Sequence, residues 1–345
     1  MEGRRATMPR TTYRLVTTTP ELLSQINPEN LKLKLQFLKE KNMRSSDGTI
    51  KNYDSDLNIF FVYNLQYNNN KFFIDIKKLE FSEFFSYCIN ELKWGSARFG
   101  RMKACLSSFS NFIEKFFDSE YKDFRNVILR AVESMPKSER REKTIMSEKQ
   151  VNDLLFYLSE VINDQQLSNW FALAIASGAR FAEILRFSTD IIDENNTVFD
   201  GLFLETTKMI RTKGRTKEGK MQKKYIIKDL FFPYYKKWLV EREKIMVANN
   251  KNHNFIFIKP NGDPAEEGTI RSWLPKLEKF LNVPFYAHCA RHFFVTYLSK
   301  AGLSAELIVE LTGWTSSDMY KIYNDLGVKD REWKELVNLK EYLNK

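Results

Sequence analysis

Between residues 20 and 133 the apolar positions recur at helical spacing. Leu31, Leu33, Leu35, Phe37 and Leu38 form one stripe, Phe81, Phe84, Phe85, Cys88, Ile89 and Leu92 another, and a third runs from Met102 to Phe117. Asp47-Gly48, Tyr67 to Asn70 and Trp94-Gly95-Ser96 carry turn residues between the stripes, which predicts a bundle of four or five helices. From Ser134 to Lys143 the periodicity stops and charge takes over, as in an exposed linker, set at 134–146. Ser147 and Gln150 then have the spacing of a capping box, and Val151, Leu154, Leu155, Leu158 and Val161 fall on one helical stripe, opening a second domain over 147–345. Between Phe199 and Leu230 the period shortens to that of strands, in Leu202 to Thr207 and Tyr225 to Ile227, which predicts a β-hairpin. The expected architecture is mainly α with a small β-hairpin or sheet: a helical domain over 20–133, then a mixed α+β domain ending in a C-terminal helix.

Composition narrows the class. The longest apolar runs, such as Ile59 to Tyr63, are core-sized, far short of a membrane span. Residues 1–19 are basic and lack the apolar stretch of a secretory signal, so they read as an arm or an expression remnant. Three widely spaced cysteines, Cys88, Cys105 and Cys289, suit a reducing, intracellular compartment rather than a disulfide framework, and with His253, His288 and His292 they supply no evident metal centre. The chain of 345 residues carries a formal net charge of +10, which points to a polyanionic partner, most often nucleic acid. The charge concentrates in the predicted hairpin, where nine Lys or Arg and one Glu lie from Lys208 to Lys228. A loop bearing Lys208, Arg211, Lys213, Arg215, Lys217 and Lys220 has the character of a phosphate-contacting surface, although a merely solvated charged loop has the same composition.

Three short segments carry candidate chemistry. Arg180 and Glu183 stand at i, i+3 just after Ser177-Gly178, a spacing that gives an ordinary surface ion pair when taken alone. His288 and Arg291 share a helix face in a segment that runs to Leu298 and stops at Gly302. Gly313-Trp314 follows a short helix capped by Ser304 and precedes Tyr320 and Tyr323. Each aromatic is a core residue until the order is considered: Arg180, the basic hairpin, His288, Arg291, Trp314, Tyr323.

That order resembles the tyrosine recombinase (phage-type integrase) family, whose boxes run Arg, hairpin Lys, His-x-x-Arg, His or Trp, and the nucleophilic Tyr. The intervals of nine from Trp314 and thirty-two from Arg291 fit the family and select Tyr323 over Tyr320. The match covers 147–345, while 20–133 resembles the family's core-binding domain only as a helical bundle. The resemblance implies a site-specific DNA recombinase or integrase that cleaves and rejoins duplex DNA through a 3'-phosphotyrosine, with no cofactor, metal or ATP. It also implies assembly as a tetramer on DNA, in the cytoplasm or nucleoid of a host cell. Tyr323 would attack, Arg180 and Arg291 would bind the phosphate, and His288 would assist. Trp314 replaces the commoner His and keeps a donor in its indole N–H. Lys217 is the best match for the proton-donating lysine, with Lys213 and Lys220 as competitors, and Glu183 takes a supporting role.

Elementary chemistry favours the same residue types. Guanidinium forks suit the charge that grows on non-bridging phosphate oxygens, and a phenol needs help from a base or a positive field to attack near neutral pH. Two alternatives stay open: a topoisomerase-like or telomere-resolving enzyme of the same chemistry, and a non-catalytic regulator in which Ser304 to Tyr323 is a helix-turn-helix. After Tyr323, the residues Trp333, Leu336, Val337 and Leu343 form a stripe expected to dock in trans on a neighbouring protomer, with packing in cis as the competitor.

Overall fold

The structure is a computed structural model that describes residues 18–136, 144–212, 219–314, 317, 318 and 320. The described residues divide into two compact units, one ending at residue 136 and one beginning at 144.

The first unit consists of α1 (Pro20–Ser24), α2 (Pro28–Asn42), α3 (Asp47–Tyr67), α4 (Lys78–Asn90), α5 (Ser96–Phe116) and α6 (Ile128–Ala131). Its stripes close on a core rich in phenylalanine. Phe60 meets Phe84 edge-on at 5.0 Å and Phe73 meets Phe109 at 4.8 Å, arrangements in which ring edges face ring π-clouds. The turn after α3 is tied down by two buried asparagines, as Asn30 and Asn64 both donate to the Lys71 carbonyl, at 2.9 and 2.7 Å. One expected turn is instead helix: Asp47-Gly48 opens α3. Gly48 lies in the first turn of that helix, outside the interior where a glycine's extra backbone entropy costs most.

The second unit begins with the expected cap. The Gln150 N–H donates to Ser147 Oγ at 3.2 Å, and the Ser147 N–H to Gln150 Oε1 at 2.9 Å, at the head of α7 (Glu148–Phe156). Val151, Leu154, Leu155 and Leu158 are buried as expected, but Val161 is 60% exposed. The reason is a π-helical turn over Tyr157–Val161, whose wider spacing rotates Val161 off the stripe. Then follow α8 (Gln165–Ser177), α9 (Phe181–Ile184), β1 (Thr197–Val198), β2 (Phe203–Glu205), β3 (Ile210–Thr212), β4 (Lys220–Gln222) and β5 (Tyr225–Ile227). The unit continues with α10 (Lys228–Ala248), α11 (Glu267–Arg271), α12 (Leu274–Leu281), α13 (Ala287–Lys300) and α14 (Ala305–Thr312). The apolar α8 is buried along almost its whole length and packs against α10 and α13.

The expected hairpin exists as β2 against β5, antiparallel, with Leu204 opposite Ile226 and Glu205 opposite Tyr225, and β1 adds to the other edge of β2. A smaller hairpin, β3 against β4, is inserted between β2 and β5.

Candidate active site

Helix α8 ends at Gly178, which adopts the left-handed conformation (φ +54°) that terminates helices. A side chain there would be strained by that backbone, and a Cβ would also lie 2.5 Å from the Phe294 ring of α13. This close approach lets Arg291 on α13 donate from Nη1 to the Gly178 carbonyl at 2.8 Å, two residues from Arg180. The two arginines, 111 positions apart in sequence, therefore meet at one helix end.

Arg180 precedes α9. Its N–H donates to Glu183 Oε2 at 3.0 Å and its Nη1 to Glu183 Oε1 at 2.9 Å. Glu183 is not the surface residue its spacing suggests, for its side chain is 1% exposed, whereas that of Arg180 is 29% exposed. The second partner of Glu183 is Lys224, whose Nζ lies 2.9 Å from Oε2 and whose side chain is 2% exposed. Burial would push the Glu183 carboxyl up, but the Lys224 ammonium and the Arg180 donors outweigh it and hold the group at about 2. Burial likewise lowers Lys224 from its usual range, opposed by the Glu183 charge and reinforced by the nearby Arg291 and Arg180 cations. Arg291, 2% exposed, stacks its guanidinium over the Trp314 ring at 4.9 Å. His288 is exposed on the first turn of α13, one turn ahead of Arg291.

Of the expected site residues, Arg180, Glu183, Arg291 and Trp314 are thus gathered at the end of α8, with His288 on the same helix as Arg291. Tyr323, Lys213, Arg215 and Lys217 lie outside the described residues, as do the stripe from Trp333 to Leu343 and positions 137–143 of the linker. Lys208 is exposed and paired with Asp190 at 2.6 Å, while Arg211 and Lys220 are both exposed on the β3–β4 hairpin, on its opposite faces. Tyr320 is half-buried and its hydroxyl accepts from Ser299 Oγ at 3.1 Å.

Two residues of this neighbourhood were not anticipated. Lys224 could have been found from strand alternation, since it shares a side of β5 with the wholly buried Ile226. A lysine in core register needs a buried partner. Gln222 on β4 donates from Nε2 to the Gly313 carbonyl at 3.1 Å, tying the hairpin to the turn that carries Trp314, and no sequence signal marks it.

The residues 144–329 match the model of the phage integrase family. The SPbeta prophage-derived recombinase-like protein YomM of Bacillus subtilis (strain 168) is 27% identical over 263 residues, covering 75% of this chain and 74% of its own. A tyrosine recombinase of Thermosipho africanus (strain TCF52B) is 25% identical over 302 residues, covering 84% of this chain and 92% of its own. Among solved structures, the Tn1549 transposon integrase in complex with transposon right end DNA superposes with a TM-score of 0.63 at 14% identity, over 90% of this chain and 99% of that one. The chain belongs to the phage integrase family, the DNA strand-transferring tyrosine recombinases.

Proposed function

We propose that this protein is a site-specific recombinase that cuts and rejoins duplex DNA through a 3'-phosphotyrosine on Tyr323. The observation that carries the reading is the convergence of Arg180 and Arg291 at the end of α8, with Trp314 stacked on Arg291. Two fixed guanidinium groups favour the dianionic character that develops on a phosphodiester under attack, and they do not lose their protons in doing so. The Tyr323 oxygen bonds to phosphorus while the bond from phosphorus to the 5'-oxygen breaks. The phenolic proton leaves toward a base, for which His288 is the titrating candidate, and the departing 5'-oxygen takes a proton from the basic loop, with Lys217 as the assigned donor.

The phosphotyrosine conserves the energy of the broken bond, so a second 5'-hydroxyl reseals the strand without ATP or a metal ion. Exchange between two duplexes requires four strands to be cut, and one tyrosine per chain makes the working assembly a tetramer on DNA. The partner is double-stranded DNA carrying the recombination site, in keeping with the net charge of +10.

The test is a nicked substrate carrying the recombination site found in flanking DNA, from which the cleaved end diffuses away and traps the covalent intermediate. The wild-type chain is expected to accumulate a protein–DNA adduct, whereas Tyr323→Phe forms none yet binds DNA normally. Adduct formation by Tyr323→Phe, with loss in Tyr320→Phe, would transfer the nucleophile to Tyr320.

A further inference from the structure

We infer that Lys224 is a positioning residue of the cleavage reaction: it holds Glu183 so that Glu183 holds Arg180, and it does not itself deliver a proton to DNA. The inference rests on the function proposed above and adds a residue to it.

Lys224 is fixed from two sides. Its backbone N–H donates to Thr206 Oγ1 at 3.0 Å and its carbonyl accepts the Thr206 N–H at 2.9 Å, which extends the β2–β5 ladder by one pair. Alternation then turns the side chain inward, where Nζ reaches Glu183 Oε2 at 2.9 Å. The carboxylate is thereby divided. Oε2 serves Lys224 and the Arg180 N–H, while Oε1 alone takes the Arg180 guanidinium. Without the ammonium, a buried carboxylate has one cation left, and its second oxygen is drawn onto the same fork. A guanidinium held by both oxygens offers fewer donors to a phosphate and aims them differently.

Exposure separates the roles. The Arg180 side chain is 29% exposed and able to meet a substrate, whereas that of Lys224 is 2% exposed and turned to an internal partner. A buried ion pair is also a poor source of net stability, because desolvation consumes most of the attraction. What this pair delivers is the aim of one arginine.

The experiment measures adduct formation by the full-length protein on the nicked substrate, at saturating DNA, for Lys224→Met, Lys224→Arg, Arg180→Ala and the double variants. Lys224→Met is expected to cleave about 100-fold more slowly, the scale of one lost transition-state donor, with DNA affinity little changed. Lys224→Arg keeps the charge and recovers part of the rate. In the Arg180→Ala background, Lys224→Met adds less than about threefold, because a residue acting through Arg180 has nothing left to act on. A 5'-thio leaving group, which needs little protonation, does not restore Lys224→Met.

Rescue by the 5'-thio substrate would make Lys224 the proton donor, and full additivity with Arg180→Ala would give it an independent role; either result overturns the proposal. If Lys224→Met fails to fold in a melting experiment, Lys224→Arg must show the same non-additivity. A wild-type rate in Lys224→Met, with wild-type adduct present, sinks this inference alone, whereas absence of adduct from the wild-type protein removes the proposed function and this inference with it.

Discussion

Asp56 in the first unit and Glu183 in the second are both almost wholly buried carboxylates with two cationic partners, yet the partners are disposed in opposite ways. Asp56 Oδ1 accepts from Arg98 at 2.6 Å and from Arg101 at 2.9 Å, and these arginine side chains are 20% and 48% exposed. Arg98 lies in addition over the Trp94 ring at 4.4 Å. Both cations therefore keep contact with water, and the carboxylate bears most of the desolvation. In the second unit one cation, Lys224, is buried as deeply as the carboxylate itself. Removing an ion from water costs several kcal/mol even after relaxation, so stability gives little reason for the second arrangement. The first unit uses its ions to brace a helix pair around an aromatic core. In the second, on the function proposed above, the buried pair serves the placement of Arg180 rather than stability.

The sharpest way to break this contrast is Arg291→Lys. It keeps the charge but loses the fork that reaches Gly178 and stacks on Trp314, and cleavage is expected to fall by on the order of 100- to 1,000-fold, measured as single-turnover adduct formation. Retention of near-wild-type cleavage would mean that the buried cations serve packing, as in the first unit. The complementary change is Phe60→Ala, which empties a position contacted by Phe61, Phe73, Phe81 and Phe84. It should destabilise the first unit by about 3–5 kcal/mol in denaturant unfolding, while the chemical step on DNA that is already bound slows far less. A third experiment sharpens the contrast through pH. Glu183 is held at about 2 against an ordinary 4.5, so its stabilising contribution is complete above pH 4.5 and is lost as pH falls toward 2. The difference in melting temperature between the wild type and Glu183→Gln should accordingly stay constant from pH 8 to about 5 and shrink below that. A difference that changes between pH 6 and 8 would show that another group controls the pair.

The helices were legible because a 3.6-residue period survives in any sequence whose helices bury one face. Phe81, Phe84, Phe85 and Cys88 are all buried as their spacing requires. The exceptions have local causes: Gly48 sits where a helix tolerates glycine, and Val161 follows a turn that changes the period. Arg180, Arg291 and Trp314 were legible through order, and the structure brings these three together. The burial of Glu183 was not legible, because an i, i+3 pair looks the same on a surface as beneath one. What covers it arrives with β5, some forty residues later in the chain. Lys224 stood in the run of basic residues without being singled out from it, although its register with Ile226 marked it as different. Gln222 carries no signal at all, since its partner is a backbone carbonyl contributed by another part of the fold.

The pairing of Thr206 with Lys224 also divides the inserted hairpin from the machinery beneath it. Within the insert the strands are anchored to the rest of the unit, Gln222 through the Gly313 carbonyl and Arg211 through its own carbonyl, which accepts from Arg186 Nη1 at 3.0 Å, while the bonds that place Arg180 lie outside the insert. The hairpin thus behaves as an exchangeable cassette closed by a fixed clasp. Chimaeras that replace the segment between Thr212 and Gly219 with loops from other recombinases, each keeping a lysine at the place of Lys217, would change which DNA is gripped while leaving Arg180 and Glu183 in place, which makes this clasp a natural joint for retargeting the enzyme.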